Sequence, residues 1–462
     1  MRNHIILQLL FILPLLAFSN EKLEIYNISI QGNKITKKEI IFRELAFKSG
    51  DIMSKKELED KIKKSEENLT NLLLFNFSKI SATIKSSKIY VEINIVERWY
   101  IWPYPILEVS ERNFNVWWDE FKESGYSDFS RMNYGVSLVW ENFRGRNELL
   151  KIKYRRGFKE HYLFNYEIPY FNNKKTIGIN TFLQLFRRKK SFYKTTQNEL
   201  VYLTDNMGYT TKDFELQIDV QYRKNTRHKH NMKLHYLKSN IADSIIVLNP
   251  NYLRNNNNNG DYFKLSYEYI NEQRDYIEYP LDGHYINIKL TKHFSGTSPV
   301  EHLELMGKFE KHMKISNRLY IGTSFMTKIS SDNYQPYFSQ EALGFDYYVR
   351  TYEYYVIDGQ DFWLNKNALK YKLIDKKNFE IPYIKMSQFK KAHYSLYLSL
   401  FSDFGYVKDN QNFKENNLAN SLLFGSGISI EYLTYYDKLI RIEYGMNKLG
   451  EKGIFLHFTN PF

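Results

Sequence analysis

The feature that most constrains this chain is a long succession of short segments in which apolar and polar residues alternate. The pattern runs from residue 99 to residue 462 and contains no convincing long helix. One segment places an apolar row opposite a polar row: Phe214, Leu216, Ile218, Val220 and Tyr222. An apolar row can contact lipid while a polar row is solvated in a lumen, so the pattern predicts a transmembrane antiparallel β-barrel. A soluble β-sandwich, with one face of each sheet in a dry core, is the alternative.

The alternating segments number about sixteen, and single-chain bacterial barrels have an even number of strands. An even number also brings both ends of the barrel to the same side of the membrane. The predicted strands are 132–142, 149–157, 161–170, 175–187, 196–204, 212–224, 229–238, 262–271, 284–293, 302–313, 317–329, 361–373, 392–404, 419–433, 438–446 and 453–460.

The connections between these strands predict their direction. If odd-numbered strands run outward, 158–160 and 225–228 are short periplasmic turns, and the long segments 239–260 and 330–360 lie outside. Short periplasmic turns and long extracellular loops are the expected asymmetry. The segment 374–391 does not fit this asymmetry, because it is a long connection on the predicted periplasmic side.

Both ends of the chain carry targeting features. An apolar run over residues 5–18 follows Arg2, and Ala17 and Ser19 supply the small residues that a signal peptidase needs, so 1–19 is predicted to be a signal peptide. An uncleaved membrane anchor is the alternative, but the run is shorter than the roughly 20 residues of a membrane span. The last strand ends on aromatic residues, Phe458 and Phe462, as the closing strand of an outer-membrane barrel does.

Composition agrees with an exported barrel. Mean hydropathy is polar at −0.53 while aromatic residues reach 17%, as expected for strands with one wet face and two aromatic girdles. The chain has no cysteine, which excludes disulfides and thiol chemistry. Its net charge of +13 is spread along alternating strands, so we expect a charged lumen and contacts with lipid head groups, and no nucleic-acid partner.

Residues 20–98 differ from the rest and predict a small β-α-α-β-β domain. Thr36 and Glu39 fit a capping box for its first helix, and Ser54 and Glu57 fit one for its second. The order and several short motifs closely resemble a POTRA domain, the periplasmic module of the BamA-type superfamily. The matching positions are Gly32, Asn33, Arg43, Glu44, Gly50 and Phe75. The predicted domains are therefore a signal peptide at 1–19, a POTRA-like domain at 20–98 and a barrel at 99–462.

A second match lies in the long segment before the twelfth predicted strand. Val349, Arg350, Thr351 and Tyr352 resemble the Val-Arg-Gly-Phe/Tyr signature of that superfamily, with threonine in place of glycine. The resemblance implies a loop that folds into the lumen and is held there through its arginine. An arginine in a lumen should bind a carboxylate.

Two carboxylates on later strands are candidates for that role. We predict Asp403 as the principal partner of Arg350 and Glu431 as a secondary one. The alternative is that Arg350 is a solvated loop cation.

The resemblance implies an outer-membrane protein assembly, insertion or translocation factor, with its POTRA-like domain in the periplasm. Its expected partners are unfolded outer-membrane or secreted clients, outer-membrane lipid and accessory lipoproteins at the POTRA-like domain. Such a protein captures client strands at open sheet edges, at the POTRA-like domain or at a weakly paired junction of first and last strands. A dedicated two-partner-type secretion transporter and a passive porin-like channel are the alternatives.

The sequence gives little support to an enzyme. It contains no nucleophile elbow or phosphate-binding loop, and we predict no catalytic residue and no cofactor. His228 and His230 stand two apart in a basic turn without an acidic or cysteine neighbour, so we predict no metal site there.

Overall fold

The computed structural model of this protein describes residues 22–109, 122–127, 129, 132–205, 208–295, 301–332, 334–411 and 414–459. The predicted signal peptide and Phe462 lie outside the described residues. The described chain forms an N-terminal α/β domain followed by one antiparallel sheet of 16 strands. Both parts of the predicted fold class are therefore confirmed.

The N-terminal domain is a four-stranded sheet packed against two helices. Its elements are β1 (Leu23–Gln31), α1 (Lys38–Glu44), β2 (Ile52–Met53), α2 (Lys55–Asn71), β3 (Phe75–Lys85) and β4 (Lys88–Glu97). The sheet order is β2-β1-β4-β3, with β1 parallel to β4. Alternating apolar side chains of the two central strands are buried in one core with Leu69 of α2. The two-residue β2 is the only element of this domain that the predicted order lacked among the described residues.

The two predicted helix caps have different outcomes. Ser54 caps α2, and its hydroxyl accepts a hydrogen bond from the N–H of Glu57 at 3.3 Å. The prediction for α1 is wrong, because Lys37 occupies the cap position without a side-chain bond. The side chain of Thr36 instead contacts Tyr100 at 3.2 Å and Asn142 at 2.8 Å, so it joins the domain to the start of the large sheet.

The large sheet continues along the chain from residue 101. Its strands and the small elements between them are β5 (Ile101–Val109), β6 (Met132–Phe143), β7 (Glu148–Gly157), β8 (Lys159–Ile168), β9 (Ile177–Arg188), β10 (Lys190–Thr196), β11 (Glu199–Thr204), β12 (Thr211–Tyr222), β13 (His228–Ile241), α3 (Asp243–Leu248), β14 (Asn259–Glu272), β15 (Gly283–Ser295), β16 (His302–Lys314), β17 (Leu319–Ser330), β18 (Glu341–Leu343), β19 (Ile357–Asp358), β20 (Asp361–Glu380), α4 (Ser387–Lys390), β21 (Lys391–Lys408), β22 (Leu423–Thr434), β23 (Leu439–Asn447) and β24 (Lys452–Thr459). The hairpins β10–β11 and β18–β19 are not part of the large sheet. The remaining strands pair in chain order from β5 to β24.

The strand count of sixteen is right, but one predicted member does not belong to the sheet and one strand of the sheet was not predicted. The first strand is β5, which the sequence prediction lacked, so 132–142 is the second strand. The predicted strand at 196–204 contains β11, which pairs with β10 in a separate hairpin. Alternation alone cannot tell a strand of the main sheet from one arm of a hairpin, and the two errors cancel in the total.

Because β5 precedes the strand predicted as the first, the first predicted strands run in the direction opposite to the expected one, and the turns between them lie at the opposite ends of the sheet. We call the end of the sheet that contacts the N-terminal domain the near end, and the opposite end the far end. The turn at 158–160, predicted on the domain side, lies at the far end because β7 runs away from the domain. From β12 onward the prediction is right: 225–228 is at the near end, and 239–260 and 330–360 are at the far end.

The segment 374–391 does not contain a long near-end loop. β20 extends to Glu380 and β21 begins at Lys391, so the near-end connection shortens to residues 381–390, which include α4.

The two faces of the large sheet differ as the alternation predicts. Along β12, Phe214, Ile218 and Val220 are exposed on the outer face. On the inner face Asp219 accepts a hydrogen bond from Asn180 at 3.2 Å. Each helix in the described part of the chain is too short or too polar to cross a bilayer.

Candidate functional site

The connection between β17 and β20 folds back into the space that the sheet encloses. We call residues 331–360 the lumen loop; it contains the hairpin β18–β19. Leu343, Val349 and Tyr352 of this loop are buried in one apolar cluster with Val407 and Leu423 of the wall. The lumen loop therefore packs against the wall as a small core and occupies the lumen toward the far end.

Arg350 anchors the lumen loop to Asp403 on β21. Its Nε donates to Asp403 Oδ2 at 2.8 Å and its Nη2 to Oδ1 at 2.5 Å, while its backbone N–H donates to Oδ2 at 3.2 Å. Nη2 also donates to the carbonyl of Asn367 at 3.0 Å, and the guanidinium lies 4.2 Å from the ring centroid of Phe401. Asp403 is completely buried and Arg350 is 5% exposed. The planar fork of donors is thus matched by both carboxylate oxygens in a site that excludes water.

Thr351, the residue that replaces the glycine of the signature, keeps a backbone conformation that favours glycine. Its φ is +78°, a region that costs a β-branched residue about 1–3 kcal/mol. Surrounding contacts must hold it there, and two wall glycines allow them. A Cβ on Gly425 would lie 2.0 Å from the Arg350 carbonyl oxygen, and one on Gly445 would lie 2.5 Å from Thr351 Cγ2.

Gly405 allows a similar approach on the neighbouring strand, since a Cβ there would lie 2.6 Å from Val349 Cγ2. We call Gly405, Gly425 and Gly445 the glycine recess. It forms a dent in the wall that receives the tip of the lumen loop. The alternation pattern did not reveal it, although inward glycines on β21, β22 and β23 are a readable signal once the strands are aligned.

The predicted second partner of Arg350 is wrong. Glu431 does not bond Arg350; its carboxylate accepts hydrogen bonds from the hydroxyl of Tyr279 and from Ser429 Oγ at 3.1 Å, and lies 3.8 Å from Lys370 Nζ. The second carboxylate near Arg350 is Glu443 on β23, at 3.8 Å from Nη1. The two glutamates both face the lumen on adjacent strands, and only the strand register decides which one the arginine reaches.

The near-end turn between β14 and β15 also enters the lumen. Tyr279 at its tip packs against Tyr397 with a centroid distance of 4.7 Å, and Lys370 Nζ lies 3.9 Å from the ring centroid of Tyr279. Between this turn and the lumen loop is a cavity of about 370 Å³, and charged side chains, among them Arg350, Lys370 and Glu431, line it. The lumen is thus filled from both ends, with a charged cavity left in the middle.

The N-terminal domain lies across the near end of the sheet. Buried Glu44 accepts hydrogen bonds from Arg223 Nη2 at 3.1 Å and from Tyr170 Oη at 3.2 Å. Arg43 donates from Nη2 to the Arg223 carbonyl at 2.9 Å and from Nε to the Lys175 carbonyl at 2.8 Å. Burial raises the pKa of Tyr170 to about 12, so its hydroxyl remains a donor to Glu44. Two residues of the POTRA motif therefore bind the barrel-forming part of the chain.

Further contacts extend this interface over six near-end turns. Besides Arg43 and Glu44 at two of them, the domain uses Lys37 with Gly145, Asn71 with Asp275 and Ile277, Asn76 with Gln388, and Arg98 with Asp437. Together they fix the domain as a cover over the near end.

The other POTRA-motif residues shape the domain itself. Gly32 has φ +93°, and a Cβ there would lie 2.0 Å from the carbonyl oxygen of Ile95, so the turn after β1 requires glycine. Asn33 Nδ2 donates to the Thr36 carbonyl at 3.2 Å, Gly50 precedes β2, and Phe75 is buried in the domain core.

The first and last strands of the large sheet are not joined to each other. Among the described residues no hydrogen-bonded register connects β5 with β24, and the sheet order begins with one and ends with the other. We call the gap between them the seam. The sheet still curls round, because Trp102 of β5 contacts Tyr436, with a centroid distance of 5.5 Å, and the hydroxyl of Tyr436 accepts from the Trp99 N–H at 2.9 Å. Phe458 of the predicted C-terminal signal stands exposed beside the seam.

At the far end the β10–β11 hairpin bonds two other loops. The carbonyl of Asn198 accepts from the N–H of Val356 in the lumen loop at 2.8 Å. The N–H of Asn198 donates to Asn416 Oδ1 at 2.9 Å, and that of Gln197 to the Glu415 carbonyl at 3.0 Å, both between β21 and β22. The hairpin therefore ties the lumen loop to a second far-end loop.

Two groups of side chains in the described chain have metal-ligand chemistry: His293, His302 and Glu304, and Glu353, Glu443 and His457. In the first, the two imidazoles stack at a centroid distance of 3.9 Å and 17° between planes, so their lone pairs run parallel and do not converge. In the second, Arg441 Nε at 2.9 Å and His457 Nε2 at 3.0 Å already match the charge of Glu443. We therefore assign no metal to either group.

Comparisons with known proteins agree with this architecture. An Omp85 superfamily domain matches residues 142–451, and a POTRA domain, described as a surface antigen variable number repeat, matches residues 23–98. A search of curated proteins gave no match.

Two solved structures share the fold. BamA from Haemophilus ducreyi lacking POTRA domains 1–3 is 13% identical, with a TM-score of 0.51 over 94% of this chain and 84% of that one. CdiB from Escherichia coli is 10% identical, with a TM-score of 0.52 over 94% of this chain and 75% of that one. The family match covers most of the 16-stranded sheet and a POTRA domain precedes it, so the chain belongs to the Omp85 superfamily.

Proposed function

We propose that this protein is an outer-membrane factor that captures unfolded client strands by β-augmentation and assists their insertion, with its POTRA domain in the periplasm. The seam is the observation that carries this proposal. β5 and β24 each present backbone N–H or C=O groups that no neighbouring strand uses in the described residues, and an extended client segment can complete such a ladder. No covalent chemistry is needed for this activity.

The contents of the lumen support insertion beside the barrel over passive conduction. The lumen loop is held by the buried Arg350–Asp403 pair, and the POTRA domain covers the near end through Glu44 and Arg223. An open pore would need both obstacles removed. We therefore expect little ion conductance from the purified protein in planar bilayers, and a large steady conductance in the absence of client would favour the porin-like alternative.

A dedicated secretion transporter remains the second candidate. The likeness to CdiB supports a shared fold, and transport through the lumen would require the lumen loop to leave its recess in each cycle. Cross-linking the loop to the wall, through cysteines at Val349 and Gly405, would then stop transport. An inserter that works at the seam would tolerate such a cross-link. The natural chain has no cysteine, so the two introduced cysteines can form a disulfide with each other without competition from a native thiol.

The decisive test is depletion of the protein followed by quantitative proteomics of the outer membrane and the culture medium. A general loss of barrel proteins is the expected result. Loss of one secreted protein would indicate dedicated export, and unchanged profiles would overturn both candidates.

Complementation of the depleted strain tests the site. The Arg350→Ala variant should fail to restore the barrel proteins, whereas Arg318→Ala, at an exposed near-end turn, should restore them. Equal complementation by both variants would show that the anchor of the lumen loop has no part in the activity.

Accessory lipoproteins would find one accessible surface on the POTRA domain. The sheet face turned away from the helices exposes Tyr26 and Tyr90, whose ring centroids lie 5.4 Å apart, with Lys88 over the ring of Tyr26. Co-purification with the wild type and loss of that partner from a Tyr26→Ser/Tyr90→Ser variant would identify such a subunit.

A further inference from the structure

The direction of the hydrogen bonds of β5 is fixed by its pairing with β6. The N–H of Glu141 donates to the carbonyl of Tyr100 at 2.7 Å, in the register that pairs Trp102 with Val139. In an antiparallel strand the N–H and C=O of one residue point to the same side, and successive residues point to opposite sides. The even-numbered residues of β5 therefore bond β6, and the odd-numbered residues face the seam.

Both prolines of β5, Pro103 and Pro105, are odd-numbered and so face the seam. Proline has no N–H, so this edge offers no donor between Ile101 and Leu107. The carbonyl of Ile101 is itself occupied, because it accepts from the indole N–H of Trp99. The ladder to β6 is unaffected, since an edge strand can carry proline wherever the missing N–H would point away from the sheet.

The edge of β24 is complete by comparison. The N–H of Asn447 donates to the carbonyl of Glu451 at 3.1 Å, in line with the register that pairs Met446 with Lys452. The odd-numbered residues of β24 therefore bond β23. The residues that face the seam are Lys452, Ile454, Leu456 and Phe458, and each has both a donor and an acceptor.

The side chains along this edge show what kind of strand could extend it. Ile454 is 72% exposed and Phe458 67%, whereas Ile442 on the same face of β23 is 48% exposed, because β24 lacks a neighbour on one side. These side chains project from the outer, apolar face of the sheet. A strand added here must present apolar residues to the same side and residues suited to the lumen on the other.

We propose that Pro103 and Pro105 prevent β5 from hydrogen-bonding to β24 across the seam, and that the outer edge of β24 is the docking edge for an amphipathic strand of a client membrane barrel. The proposal rests on the proposed function in strand capture and deepens it by naming the edge and the client class. It assigns unequal roles to the two strands: β24 receives the client, and β5 is made a poor competitor for the same edge. A hydrophilic secreted segment would not match the apolar face.

Hydrogen exchange of the full-length protein in lipid vesicles tests the first part without any client. In the Pro103→Val/Pro105→Val variant, β5 regains two donors, and valine suits a strand. The amides of Ile454, Leu456 and Phe458 should then exchange about tenfold more slowly than in the wild type, because the two regained donors let β5 hydrogen-bond β24 and protect these amides. Ile106→Val is the matched control, since it changes β5 without adding a donor at the seam.

Two outcomes decide this experiment. A slowing of less than about threefold in the double variant, with β6 amides still protected, would overturn the proposal. Should the double variant fail to fold, the single variants Pro103→Val and Pro105→Val are compared by the same criterion.

Disulfide trapping tests the second part. The probe is a synthetic peptide that copies residues 452–459 and carries one central cysteine, and it is offered to Leu456→Cys and to Leu107→Cys proteins in vesicles. We expect several-fold more trapping at residue 456 than at residue 107, and a decrease at 456 when both prolines are replaced. Equal or greater trapping at residue 107, or trapping of a shuffled peptide to the same extent, would overturn the assignment.

These measurements test the proposed function and the role of the two prolines independently. Unchanged outer-membrane proteomes on depletion would remove the proposed function even if the exchange results were as expected. Unchanged exchange would remove the role of the prolines even if depletion caused a general loss of barrel proteins.

Discussion

The buried pair of Arg350 and Asp403 gives the most quantitative prediction. Replacing Asp403 by leucine leaves the guanidinium, 5% exposed, with the carbonyl of Asn367, the ring of Phe401 and the more distant Glu443. Removing one partner of a buried ion pair costs about 3–5 kcal/mol, because the other charge stays buried without compensation. Arg350→Met should cost a similar amount, because it leaves the carboxylate of Asp403 buried without its cation. Replacing both residues removes both charges, so the double variant should lose about 2–3 kcal/mol less than the sum of the single losses.

Hydrogen exchange at the amides of Val349 and Tyr352 measures the opening of the lumen loop directly. A loss of about 3–5 kcal/mol corresponds to exchange roughly 150- to 5000-fold faster in each single variant. The global stability of the barrel, followed by unfolding in urea, should change much less because the strand ladders remain. Single variants that exchange less than about tenfold faster, or losses that simply add in the double variant, would refute the argument that this pair holds the loop.

Three further predictions concern the glycine recess, the POTRA interface and the near-end turn. Gly425→Ala should expel the loop tip and allow trypsin to cleave after Arg350, because its Cβ would meet the Arg350 carbonyl, whereas Gly307→Ala, where the nearest atom is 3.8 Å away, should stay resistant. Glu44→Gln should loosen the POTRA domain by about 3 kcal/mol and speed exchange of the Lys37 amide, which bonds Gly145, and the exposed control Glu39→Gln should not. Tyr279→Phe should destabilise the docked near-end turn by about 1–3 kcal/mol through the lost bond to buried Glu431, seen as faster exchange in that turn but not in Tyr383→Phe; equal rates would contradict the role of the hydroxyl.

The sequence predicted the two-part architecture and the strand number because period-two alternation is a strong local signal. It lacked β5 for a physical reason. Pro103 and Pro105 argue against a strand when only the run of residues is visible, and they become compatible with one when the missing donors point to an unpaired edge. That direction depends on the pairing with β6, which no local pattern contains.

The candidate site likewise contains residues that a local motif reveals and residues that depend on the strand register. Arg350 and Asp403 were identified from short motifs, and the structure places them in a bidentate bond. Glu431 was predicted and Glu443 was not, because the register between β22 and β23 that brings Glu443 close to Arg350 is not contained in any local pattern. The glycine recess was invisible for the same reason, since it exists only when three strands are aligned.

The β10–β11 hairpin connects the far end of the molecule to the lumen loop. It is bonded at Asn198 to Val356 of the lumen loop, six residues beyond Arg350 in the chain. An antibody or other large ligand that displaced the hairpin would pull on the segment that contains the buried arginine. Events on the outer surface could in this way reach the interior of the barrel without any ligand entering it.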